Sequence, residues 1–70
     1  MDLNQGLVGK EYLIKDVKTI DEEMDAFLFS LGCYKGQPIT IISKLRSGVI
    51  VAIKDARYTI DKQLAKCILI

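Results

Sequence analysis

The stretch from Thr19 to Gly36 limits the possible folds more than any other part of the chain, because it alone reads as a helix with both ends marked. Ile20, Met24, Phe27, Leu28 and Leu31 fall on one face of a helical repeat, and such a face needs a sheet to cover it. Thr19 followed by Glu22 has capping-box spacing, and Asp21 is an equally good cap. Asp21, Glu22, Glu23 and Asp25 set negative charge against the positive end of the helix dipole. Gly32 suits the left-handed residue that closes a helix, Lys35-Gly36 supplies a second turn, and Pro38 keeps the helix from resuming. A helix of about three turns is marginal alone in water, so it depends on strands supplied by the rest of the chain.

Those strands are legible as short alternating runs. Tyr12, Ile14 and Val17 predict a half-buried strand from about Lys10 to Lys18, with Leu13 outward, after an irregular lead-in whose Leu3, Leu7 and Val8 plug one end of the core. Ile39, Ile41 and Leu45 predict a second strand with Ile42 on its other face. Arg46-Ser47-Gly48 then reads as a three-residue hairpin loop leading to Val49, Val51 and Ile53. Asp55-Ala56 turns the chain into a strand from Arg57 to Ile60, Asp61 caps one helical turn from Lys62 to Ala65, and Cys67 to Ile70 forms the last strand. Five short strands and one helix, inserted between strands 1 and 2, are too little sheet for a sandwich. The expected fold is a mainly β, small, partly open barrel with the helix sealing one end.

Length and composition narrow the function. Seventy residues make a single domain, 1–70, that buries about 60% of its unfolded surface and leaves little room for an internal pocket. Half of the residues are hydrophobic and 27% are charged, yet no run approaches the ~20 apolar residues that span a bilayer. The chain opens without a signal region. The expectation is a soluble, cytoplasmic protein with no membrane insertion.

Catalytic and metal chemistry are not signalled. There is no His, the two cysteines, Cys33 and Cys67, lie outside any CxxC spacing, and two thiols do not make a zinc site. They read as reduced, partly buried thiols. No phosphate loop is present, since Lys35-Gly36 ends a helix rather than opening one. No enzyme, cofactor or metal site is expected, and a binding module is left. Residues 1–35 carry four Lys/Arg against seven Asp/Glu, and residues 36–70 carry six against two. Lys44, Arg46, Lys54 and Arg57 therefore offer an alternative, a small nucleic-acid-binding barrel. Such domains usually show a strongly basic stripe with interleaved aromatics, which this chain lacks, so nucleic acid is not the expected partner.

Phe27-Leu28-Phe29-Ser30-Leu31-Gly32-Cys33-Tyr34-Lys35-Gly36 resembles the helix-to-strand junction of the FeoA family of bacterial ferrous-iron uptake. Leu3, Gly9, Tyr12 and Ile14 resemble the family's first strand. Gly48 with Val49, Val51 and Ile53 resembles its central hairpin, and Ala65 to Ile70 its closing segment. The chain departs from the family at Ala26, Phe27 and Phe29, where basic or polar residues are common. The resemblance implies an SH3-like five-stranded barrel, the family term transition-metal binding, and an accessory role to FeoB, a membrane transporter with a cytosolic GTPase domain. It extends to the SH3-like domain of iron-dependent repressors of the DtxR type.

The candidate partner-binding residues are Phe29 and Tyr34, with Leu28 beside them on the helix and Arg46 in the hairpin turn. Phe29 is rotated away from the apolar stripe and can form an exposed patch with Tyr34. The alternative is that both rings extend the core or cover its rim. Self-association of the barrel is left open, as is a location at the inner face of the membrane through the partner.

Overall fold

The computed structural model describes residues 1–70. Its centre is a meander of β3 (Pro38–Leu45), β4 (Gly48–Ile53) and β5 (Ala56–Asp61), antiparallel throughout. Alternation works as the sequence predicts: Ile39, Ile41, Val49, Val51, Ile53 and Ile60 are buried on one face. The β3–β4 connection is tighter than expected, because Arg46 and Ser47 alone form the turn and Gly48 already pairs with Leu45 and Asp61. Glycine is required there for a reason outside the turn. A Cβ on Gly48 would collide with the backbone carbonyl of Ile60.

A bulge between Ile41 and Ser43 rephases β3. Leu45, expected inward, therefore faces solvent at 41% exposure.

The predicted first strand is two strands in two sheets. β1 (Glu11–Leu13) pairs with β3, while β2 (Asp16–Val17) pairs with β6 (Ile68–Leu69). The transfer happens between neighbours: Ile14 donates its N–H to the Gln37 carbonyl at 3.0 Å, and Lys15 donates to the Leu69 carbonyl at 2.7 Å. The result is a four-stranded sheet ordered β1-β3-β4-β5 and a two-stranded sheet β2-β6. Six strand segments thus replace the five expected.

Both ends of the chain are tied in. Asp2 caps a 3-10 turn at Leu3–Gln5 and in return donates its backbone N–H to the Gln5 side-chain oxygen, and Leu3 is fully buried. Leu7 and Val8 do not join the core as anticipated; they are exposed. α2 (Lys62–Ala65) follows β5 directly, capped by Asp61 as the sequence indicates, and buries Ala65.

The main helix, α1, spans Glu22–Leu31 between β2 and β3. Of the two candidate caps, Asp21 takes the role, accepting from the Glu23 N–H at 2.8 Å. Its predicted stripe is only partly buried. Leu28 is fully enclosed and Leu31 packs on the core, but Phe27 is 51% exposed and Ile20 precedes the helix in full contact with solvent. The helix meets the core through Leu28 and Leu31, while Phe27 and Phe29 on the same half stay exposed.

Candidate partner-binding site

At the C-terminal end of α1 the chain must leave a helix and enter a strand within seven residues, and Gly32 makes this possible by adopting φ 99°. The reversal brings Tyr34 back beside Phe29. Their ring centroids lie 5.2 Å apart with planes tilted by 40°, within the range of favourable aromatic pairs. Phe29 is 64% exposed, whereas Tyr34 is half-buried.

The other wall comes from the β4–β5 turn, Lys54-Asp55. Lys54 has φ 56°, the left-handed conformation that two-residue hairpins favour and that glycine or asparagine adopts more readily. A lysine at this position also sets its ammonium 5.5 Å from the Tyr34 ring centroid, a cation–π contact. Between the walls lies an open cleft of about 590 Å³ whose lining includes Phe29, Leu31, Tyr34, Ile53, Lys54 and Tyr58. Its chemistry is that of a receptor for an apolar or aromatic side chain: a tilted pair of rings, an aliphatic floor and one cation at the rim.

The four candidate residues separate. Phe29 and Tyr34 come together. Leu28 is fully buried in the core, so it supports the site from behind and presents nothing to a partner. Arg46 sits in the β3–β4 turn, at the far end of β4 from the cleft, and six residues of strand put the two turns roughly 20 Å apart. Lys54 and Tyr58 also line the cleft, with no local sequence signal that marks them for it. Charge alone groups Lys54 with Lys44, Arg46 and Arg57, but the turns carrying Lys54 and Arg46 lie at opposite ends of β4. The turn falls at Lys54-Asp55, one residue before the expected Asp55-Ala56, and this puts Lys54 at the tip of the hairpin.

Burial pushes the Cys33 thiol from its ordinary 9.0 up to about 11, so it stays protonated at neutral pH. Cys33 and Cys67 are both free. The chain does not fit a resident transition metal, since it has no His and no three Cys, Asp or Glu side chains converge. No helix is long and apolar enough to cross a membrane.

The FeoA domain family matches residues 1–70. The iron uptake regulatory protein FeoA superposes with a TM-score of 0.87 at 20% identity, covering 97% of this chain and 91% of that one. A FeoA from Stenotrophomonas maltophilia, complexed with zinc and described as a prokaryotic SH3 domain protein, gives 0.86 at 18% identity over 99% and 87% of the two chains. A manganese-dependent transcriptional repressor gives 0.88 at 18% identity over 97% of this chain but 39% of its own. At these identities the likeness is one of fold. No match is found among curated proteins.

Proposed function

The chain belongs to the FeoA family, associated with ferrous iron transport, and from that membership we propose that it is a non-catalytic, cytosolic accessory protein docking on the GTPase region of a FeoB-type transporter. In this reading the two sheets act as one small SH3-like barrel, with β1 and β2 as halves of a single strand. Ferrous iron is the transporter's cargo, not a ligand of this chain. The observation that carries the reading is the cleft at the end of α1, where Phe29 remains 64% exposed and packs at a tilt against Tyr34, with Lys54 over the tyrosine ring. An exposed aromatic held in place by a neighbouring ring is the kind of residue that anchors partners, because little side-chain entropy is lost on binding.

The test separates binding from folding. Phe29→Ala and Tyr34→Ala are expected to melt as cooperatively as the parent, yet to lose association with the transporter's purified cytosolic region and to impair ferrous-iron uptake in a complemented deletion strain. Normal melting with full restoration of uptake would remove the cleft as the docking surface.

A further inference from the structure

β5 is an edge of the four-stranded sheet. Outside the ladder with β4, no backbone hydrogen bond involves Ala56 to Ile60 or the Asp61 N–H. Which groups are left over follows from the turn. Ile53 and Ala56 flank a two-residue connection and so form a bonded pair, and alternation along the ladder makes Val51–Tyr58 and Val49–Ile60 the next bonded pairs. The N–H and C=O groups of Arg57 and Thr59, and the N–H of Asp61, therefore point away from the sheet. The register with β4 runs unbroken for six residues, and β5 contains no proline, glycine or bulge to blunt its edge.

We propose that this edge is a self-association surface: β5 pairs antiparallel with β5 of a second copy about a two-fold axis at Thr59, placing Arg57 opposite Asp61 of the partner subunit, twice. Charge selects both the occupant and the register. Outward-pointing residues must meet one another, so the axis passes through a residue rather than between two. An axis at Arg57 or at Asp61 sets like charges opposite each other, and an axis at Tyr58 sets Asp55 against Asp61. An axis at Ile60 shortens the overlap and leaves Arg57 without an acid. Only Thr59 joins both opposite charges, and there the two threonines exchange two N–H···O bonds while each Arg57 carbonyl accepts from an Asp61 N–H. Arg57, Thr59 and Asp61 share the exposed face of the strand, so the ion pairs stay in water while the backbone bonds form. The contact is small, and a weak, concentration-dependent dimer is what it supports. This inference stands apart from the transport reading.

Sedimentation velocity over a concentration series tests it, beside amide exchange on the parent. The parent is expected to pass from monomer to dimer as concentration rises, with exchange protection growing at Thr59 and Asp61. Arg57→Asp turns two attractive cross-strand pairs into repulsive ones and is expected to weaken self-association on the order of tenfold or more. Asp61→Arg does the same with the opposite sign, and it also removes the α2 cap. Mixing the two variants restores both pairs and is expected to give a heterodimer that neither forms alone, which a merely destabilised variant would not do. A parent that stays monomeric to millimolar concentration, or an Arg57→Asp variant that associates like the parent, would overturn the proposal. Protection at Thr59 that arises only when the transporter's cytosolic region is added would also overturn it, in favour of a strand from that partner.

Discussion

Cys33 donates its backbone N–H to the Leu28 carbonyl at 2.9 Å, and both residues are buried, so the closing bond of α1 is also a core contact. With the Gly32 N–H donating to the Phe29 carbonyl at 3.0 Å, the pattern is a Schellman cap, and Leu28 and Cys33 belong to the same buried cluster. The cap turns the chain so that Tyr34 returns to Phe29. Helix termination and the candidate site are thus one structural event.

Gly32→Ala tests that linkage. The position has φ 99°, and an added Cβ would lie 2.9 Å from the Ile53 side chain, which also lines the cleft. A loss of about 1–2 kcal/mol is expected, lowering the melting temperature by about 4–8 °C for each kcal/mol in a domain of this size. The substitution should also disturb the Phe29–Tyr34 stack, visible as a change in tyrosine fluorescence. A melting temperature equal to the parent's would show that the cap is not needed to close α1.

Leu28 and Phe27 are neighbours on the same predicted apolar stripe, but only Leu28 is enclosed. Leu28→Ala should cost about 2–5 kcal/mol, a large share of what so small a core supplies. Phe27→Ala, at 51% exposure, should shift the urea midpoint far less, within about 0.5 kcal/mol. Equal losses in the two variants would mean that the helix presents a different face to the sheets.

The raised pKa of Cys33 makes a statement about alkaline stability. Its thiol titrates near the ordinary 9.0 when unfolded and near 11 when buried in the native core, so the folded state holds the proton longer. Below pH 9 both states are protonated and the native state keeps its full margin. Between pH 9 and about 11 the unfolded chain ionises first and stability falls. Denaturant midpoints across that window should drop for the parent and drop less for Cys33→Ala, after allowing for that variant's lower starting point. In native protein, Ellman's reagent should react with the half-buried Cys67 well before Cys33.

Much of this architecture was written locally. The capping acid before α1, the glycine after it, the alternation through Val49, Val51 and Ile53, and Asp61 opening α2 are all signals carried within a few residues, and each appears in the structure. What this sequence determines by itself is therefore the capping and closing residues of the helices and the inward face of β4. The division of Lys10 to Lys18 between two sheets could not be read that way, because it depends on distant carbonyls, Gln37 for Ile14 and Leu69 for Lys15. The bulge that turns Leu45 outward is likewise a property of the β3–β4 pair and not of β3 alone. Leu28 and Phe27 are equal by helical periodicity and unequal only once the docked helix turns Leu28 to the core and Phe27 to solvent. The same holds for the cleft, where Lys54 reaches Tyr34 from a turn twenty positions further along the chain. Backbone propensity acts over neighbours, whereas partner choice across a sheet or a cleft is settled by packing, and that is fixed only when the whole chain closes on itself.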